Sequence, residues 1–259
     1  MSFSTIMFDV PEQGIGRLTL NRPDQYNALN RTLTEEASEV LTEFAAHDEL
    51  QVMILTGSGK SFSAGGDLAW LLEADDDQKK RDIVDRAGGL ISTLDSMEKP
   101  LIAAVNGVAA GAGTALALAC DMVIASESAR FAPNFVNIGA VPDSGASWYL
   151  PRAVGYHKAA ELMLTGRLLK AEEALEMGIF NRVVPAAALE KETLDLARRM
   201  SSGPREAIKS IKKMLKMSRF NSLDSQLDIE ATLQVMAWSH QEFAEGVKAF
   251  LEKRSPRFS

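Results

Sequence analysis

Apolar and polar residues alternate along Ile15-Gly16-Arg17-Leu18-Thr19-Leu20, which predicts a half-buried strand paired with Thr5 to Val10 across a turn at Pro11 to Gly14. Asn30 then caps a helical stretch running to about Ala46, and Val52 to Leu55 forms a short apolar strand that ends in T-G-S-G. Asp75-Asp76-Asp77 reads as a solvated loop and helix start, opening a polar helix from about Asp77 to Met97. A second buried strand, Leu101 to Val105, leads through a small-residue turn into a helix ending near Ala119, and Met122 to Ala125 supplies a third strand. This repeated strand–turn–helix order predicts an α/β fold. After Gly155 the pattern becomes mainly helical, with apolar spacing in Ala159 to Leu164, Leu189 to Met200, Ala207 to Met217 and Leu223 to Trp238.

Composition narrows the class. At 259 residues and 46% hydrophobic, the chain can bury a large core. A formal net charge of −7 argues against dedicated nucleic-acid binding. The single cysteine, Cys120, excludes an intramolecular disulfide and sits in an apolar context that suits a buried small side chain. No export signal precedes the first strand and no apolar run approaches the ~18 residues of a membrane span, so a cytoplasmic protein is expected.

Two turns carry the candidate chemistry: S-F-S-A-G-G-D-L at Ser61 to Leu68 and N-G-V-A-A-G-A-G-T-A at Asn106 to Ala115. With nothing larger than a methyl at Ala64, Gly65, Gly66, Gly111, Ala112 and Gly113, a ligand oxygen can approach the main chain. Two N–H donors facing one point make an oxyanion hole, although glycine also serves close packing of helix on strand. Other chemistries fit less well. Ile54 to Ser61 ends like a phosphate-binding loop, but its first glycine position is Ile54. Gly107, Gly111 and Gly113 lack the dinucleotide spacing, no G-x-S-x-G elbow occurs, and His47, His157 and His240 show no metal-site spacing and read as surface residues. The segment Pro204 to Arg219 predicts a basic amphipathic helix, with Lys209, Lys212, Lys213, Lys216 and Arg219 on one side and Ile208, Ile211 and Leu215 on another. That stripe is either a solvated face or an attractor of phosphate.

Taken together, L-N-R-P-D-Q-Y-N-A-L (Leu20 to Leu29), S-F-S-A-G-G-D-L, K-P-L-I-A-A-V-N-G-V-A-A-G-A-G (Lys99 to Gly113), A-C-D-M-V-I-A-S (Ala119 to Ser126) and E-G-V-K-A-F-L-E-K-R-S-P-R-F (Glu245 to Phe258) resemble the crotonase, or enoyl-CoA hydratase/isomerase, superfamily. The resemblance spans nearly the whole chain. It implies a crotonase-like spiral of β-β-α repeats over residues 1–200, followed by a C-terminal helical trimerisation region over residues 201–259. It also implies an acyl-CoA thioester ligand, self-association to a trimer or hexamer, and no cofactor beyond the coenzyme A of the substrate. The backbone N–H groups of Ala64 and Ala112 are expected to form the oxyanion hole. Ala112 stands where the family usually has glycine. Ala28, Gly65, Asp67, Leu68 and Gly111 are expected around the thioester, with Phe135, Trp148, Phe250 and Lys253 completing substrate binding, and Asp67 acting structurally.

Family hydratases carry two glutamates that position water and exchange protons; here Ala115 and Phe135 occupy those positions, and neither side chain moves a proton. A carboxylate appears instead at Asp143, in V-P-D-S-G-A-S-W-Y-L-P-R, a run similar to that of crotonase-fold isomerases of fatty-acid and phenylacetate degradation, where this Asp is the acid/base. Asp143 equally suits the cap of a helix beginning at Ser144. The expected activity is a double-bond shift from 3-enoyl to 2-enoyl thioester, or a related ring isomerisation. The rivals are an enoyl-CoA hydratase, an aryl-CoA dehalogenase using Asp143 as nucleophile, and a non-catalytic CoA- or RNA-binding crotonase. A dehalogenase would also require a histidine base where Gly88-Gly89 fall and a tryptophan where Phe135 stands.

Overall fold

The computed structural model describes residues 3–258. It opens with the expected hairpin, β1 (Ile6–Glu12) antiparallel to β2 (Ile15–Leu20) with Phe8 opposite Leu18. The Asn30 carboxamide accepts from Leu33 N at 2.9 Å and starts α1 (Arg31–Ala46), whose Leu33, Ala37, Val40, Leu41 and Phe44 form the buried stripe. The other end of α1 is closed from a distance: the buried Lys99 ammonium donates to the carbonyls of Phe44 and His47 at 2.8 and 2.7 Å.

Next come β3 (Val52–Gly57), β4 (Ser61–Ser63), α2 (Leu68–Leu72) and α3 (Asp77–Ser96), the last capped by the Asp76 carboxylate, which accepts from Lys79 N at 2.7 Å. The pattern repeats in β5 (Leu101–Val105), β6 (Val108–Ala110) and α4 (Ala112–Ala119), and again in β7 (Met122–Ser126) and β8 (Arg130–Ala132). The first strand of each repeat joins a six-stranded sheet ordered β1-β2-β3-β5-β7-β10, parallel beyond the first hairpin; the second joins a smaller sheet ordered β4-β6-β8-β9. Each turn therefore lands beside the last, producing the spiral of β-β-α repeats.

α5 (Ala146–Val154), α6 (Tyr156–Thr165), β9 (Leu169–Lys170), α7 (Ala171–Glu176), β10 (Arg182–Val184) and α8 (Leu189–Ser201) complete the layers. β9 and β10 fall in a stretch expected to be helical, and at two and three residues they are too short to show a period. β3 is apolar from Val52 to Leu55 because both faces are covered: Met53 and Leu55 enter the spiral core with Leu18, Phe62 and Phe131, while Val52 and Ile54 pack with Ile102, Ile124 and the α8 residues Leu189 and Ala197. Cys120 is buried, as expected.

The chain ends in α9 (Arg205–Met217), α10 (Leu223–Trp238) and α11 (Gln241–Leu251). The expected basic stripe of α9 is not a free face. Lys212 is buried and donates to the Asp121 carboxylate at 2.6 Å and to Lys99 O at 2.8 Å; Lys216 lies 3.7 Å from Asp95, and the Arg219 guanidinium sits 4.9 Å from the Trp148 ring centroid. The central lysine is therefore taken out of water and docks the helix, while Lys213 and Arg219 remain exposed. The buried Glu242 on α11 accepts from Arg205 N and Glu206 N at 2.8 and 3.3 Å and closes the start of α9, which has no capping side chain of its own.

Candidate active site

The segment Leu20 to Leu29 acts as a clamp on the first turn. Asn27, in a left-handed backbone (φ 56°), donates to Ser58 O and Ser61 O at 2.9 and 2.8 Å and accepts from Arg22 N, while Ser63 Oγ donates to Asn27 O. Leu29 then bridges the turn in parallel register: Leu29 N donates to Gly65 O at 2.7 Å, and Asp67 N donates to Leu29 O at 2.9 Å.

This register decides which amides face the ligand. Ala64 N already donates to Tyr26 O at 2.9 Å, so Ala64 is not the oxyanion donor expected of it. In a parallel bridge Leu29 bonds to the residues before and after Gly66, leaving the Gly66 N–H directed away from Leu29. Gly66 N makes no hydrogen bond among the described residues and Gly66 lines the cleft. The second donor is as expected. Ala112 is the first residue of α4, where N–H groups lack intrahelical partners, and it also lines the cleft. Two glycines allow the turns to meet. A Cβ on Gly65 (φ +90°) would stand 2.8 Å from Ala110 O and 3.0 Å from Ala112 N, and one on Gly113 would stand 2.3 Å from Ser63 O. Asn134 steadies the second turn by accepting from Gly111 N at 3.1 Å.

A cleft of about 370 Å³ brings together Ala28, Ala64, Gly66, Asp67, Leu68, Gly111, Ala112, Phe135 and Asp143. Gly65 shapes the cleft through its contact with Ala112. Most remaining walls are apolar: Leu29, Trp70, Leu71, Ile83, Val84, Ala87 and Ile138. Ile83 and Ala87 share a face of α3 at i,i+4, a sequence signal that marks a buried stripe without showing that it faces a cavity.

The two carboxyl groups of the cleft differ. Asp67 caps α2, accepting from Ala69 N at 3.0 Å, and pairs with Arg22 at 2.8 Å, so it ties the clamp to the turn. Burial alone would raise its pKa; the Arg22 hydrogen bond and charge, with the α2 amides, outweigh that and hold it below the usual carboxylate range. Asp143 has no such partner, and its Oδ1 is buried without a hydrogen bond. Burial pushes its pKa up; the adjacent Ser144 hydroxyl opposes the rise but makes no hydrogen bond of ordinary geometry. Asp143 is not the expected helix cap either. α5 begins at Ala146, after two left-handed residues, Ser144 (φ 51°) and Gly145 (φ 75°), and the main-chain carbonyl of Asp143, not its carboxylate, accepts from Ala146 N.

Three expected binding residues lie elsewhere. On α5, Ala146, Tyr149 and Leu150 turn inward, which leaves Trp148 against Arg152, Arg219 and Phe220. Phe250 is 83% exposed and borders a separate apolar groove of about 380 Å³ formed by α9, α11 and Phe258; Lys253 is also exposed, beyond the end of α11. Among the described residues, no group of three or more His, Cys, Asp or Glu is placed to hold a metal ion, and no helix is long and apolar enough to cross a membrane.

Residues 11–259 match the model of the family described as enoyl-CoA hydratase/isomerase. The chain belongs to the enoyl-CoA hydratase/isomerase family. It is 40% identical over 252 residues to the 1,2-epoxyphenylacetyl-CoA isomerase of Escherichia coli (strain K12), covering 96% of each chain. It is 36% identical over 262 residues to the trans-2-decenoyl-[acyl-carrier-protein] isomerase of Streptococcus mutans, covering 100% of this chain and 99% of the other. The crystal structure of an enoyl-CoA hydratase from Bacillus anthracis superposes with a TM-score of 0.95 at 33% identity, over 98% of this chain and 99% of that one. Within this enoyl-CoA hydratase/isomerase fold, Ala115 is fully buried outside the cleft and Phe135 forms its wall, so the two hydratase glutamate positions are apolar here.

Proposed function

We propose that the protein is an acyl-CoA isomerase that moves a C=C bond from the 3- to the 2-position of an enoyl-CoA thioester. The observation that carries this reading is Asp143: of the two cleft-lining carboxyl groups it is the one not committed to an ion pair, and no glutamate joins it. Asp143, ionised, takes a proton from C2; the electrons move onto the thioester oxygen, giving a dienolate held by the N–H groups of Gly66 and Ala112. The same proton returns to C4 and the double bond re-forms between C2 and C3. One acid/base and one oxyanion hole suffice, and oxidation state is unchanged. The apolar walls retain the acyl chain and keep water from the dienolate. The isomerase names of the Escherichia coli and Streptococcus mutans relatives support the same reading.

Hydration through two carboxyl groups has no second acid here. Dehalogenation meets Phe135 and Gly88-Gly89 where an aryl-binding tryptophan and a histidine would be required. The test is turnover of purified protein on 3-enoyl-, 2-enoyl- and aryl-CoA thioesters, with deuterated water reporting exchange. Hydration of 2-enoyl-CoA without interconversion of the enoyl isomers sinks the proposal. We further propose that the exposed apolar faces of α10 and α11 are covered by other copies of the chain in a trimer or its hexameric stack.

A further inference from the structure

Asp143 and Ser144 form an unusual pair. Ser144 holds a left-handed backbone (φ 51°), which is disfavoured for any residue with a Cβ, and glycine, present next door at Gly145, would adopt it freely. Ser144 is also 6% exposed, and its hydroxyl lies in the interior without a hydrogen-bond partner. Of the buried side-chain polar atoms without partners among the described residues, Asp143 Oδ1 and Ser144 Oγ come from consecutive residues, the first of which lines the cleft. The left-handed turn would form with glycine at this position, so neither the turn nor the packing needs the unsatisfied hydroxyl.

We infer that Ser144 is the positioning residue of the Asp143 proton shuttle: its hydroxyl, unpaired at rest, swings about χ1 to donate to the Asp143 carboxylate and, once that group is protonated, turns to accept from it. A serine hydroxyl does both because it carries one donor and two acceptor lone pairs. The carboxyl is thus satisfied before and after it takes the substrate proton, and the direction in which Ser144 acts on the Asp143 titration agrees with donation to the ionised form. No charged side chain performs this task. The other ionisable group lining the cleft, Asp67, is bound to Arg22, and burial and Ser144 are the influences that shift Asp143. The inference rests on the reading of Asp143 as acid/base.

Two variants separate hydroxyl from backbone. Ser144→Ala removes the hydroxyl and keeps the strain; Ser144→Gly removes both and is at least as stable as the wild type. A carbon-detected NMR titration of the Asp143 carboxyl, together with the pH profiles of kcat and kcat/KM on 3-hexenoyl-CoA, reads the result. In both variants Asp143 titrates about one unit higher, equivalent to the loss of a charge-assisted hydrogen bond. On the acid side kcat falls about tenfold while KM holds. Unchanged Asp143 titration in both variants overturns the inference, as does a loss in Ser144→Ala that Ser144→Gly restores, because the effect then belongs to the backbone. Asp143→Asn separates the two failures: wild-type turnover in that variant rejects the shuttle itself, whereas an inactive Asp143→Asn beside unaltered Ser144 variants rejects only the role of Ser144.

Discussion

The spiral and the C-terminal helices use apolar residues in opposite ways. In β3 every apolar side chain is consumed within the chain, Met53 and Leu55 on one face and Val52 and Ile54 on the other. In α10 none of the sixteen residues is buried, and Leu223, Leu227, Val235, Met236 and Trp238 are exposed. α9 shows the contrast within one helix, with Lys212 7% and Leu215 66% exposed. The spiral therefore consumes its apolar side chains within one chain, whereas the helical end leaves an apolar surface uncovered, the one the proposed trimer would cover. The site follows the same division: its donors and its carboxyl lie on the spiral, where close packing holds them, and the exposed Phe250 and Lys253 lie away from the cleft of their own chain.

Proline substitutions break the comparison most strongly. Gly66→Pro and Ala112→Pro each remove one proposed oxyanion donor and should lower kcat about 10²–10³-fold, with circular dichroism and light scattering unchanged. Ala64→Pro should instead lower the melting temperature, because that N–H bonds to Tyr26 O. If Ala64→Pro were stable and inactive while Gly66→Pro stayed active, the donor would have to be reassigned to Ala64.

Asp143→Asn should reduce isomerisation by at least about 10²-fold while leaving assembly intact. It also carries a stability signature. Burial raises the native Asp143 pKa above the ordinary 3.8, so in that window the native state holds more protons than the unfolded chain and stability falls as pH rises. Removing the carboxylate should therefore raise the melting temperature at neutral pH and change it little below the ordinary carboxyl pKa. Equal melting shifts at pH 3 and pH 7 would contradict this assignment.

Lys212→Met probes the seam between the regions. Removing one partner of a fully buried pair costs about 3–5 kcal/mol, and because Asp121 keeps partial access to water the loss here should be about 1–3 kcal/mol by urea melts. A change under about 0.5 kcal/mol would mean that α9 is held by its apolar contacts alone.

The smallest effect on the protomer should come from the largest change in assembly. Leu227→Glu or Trp238→Glu should shift the mass seen by light scattering from a multiple of three to a single chain, with secondary structure retained and a protomer stability change within about 0.5 kcal/mol. A wild-type monomer at micromolar concentration would show that these faces are left uncovered.

Much of the architecture was readable in the sequence because its determinants are local. The strand at Ile15 to Leu20, the Asn30 cap, the helix start at Asp75 to Asp77 and the apolar run Leu101 to Val105 all became the predicted elements, although β2, read as half-buried, is buried on both faces. The two small turns and Asp143 came together in one cleft. β9 and β10 were not readable, since two or three residues carry no period and their strand geometry depends on pairing with β8 and β7.

By itself the sequence determined where strands and helices form, that the hydratase glutamate positions hold Ala115 and Phe135, and that Asp143 is present as an acid. Tertiary structure decided which amide is left to bind an oxyanion, because an N–H is free only when no neighbouring strand takes it, and Tyr26 takes Ala64 while Leu29 leaves Gly66. It also decided the orientation of α9. Amphipathic spacing fixes two faces of a helix, but the Asp121 carboxylate and the Lys99 carbonyl drew Lys212, at the centre of the lysine face, inward. Trp148 and Asp143 were separated for a related reason: the left-handed pair Ser144-Gly145 sets where α5 begins, and a helix's starting point fixes the direction of every side chain that follows.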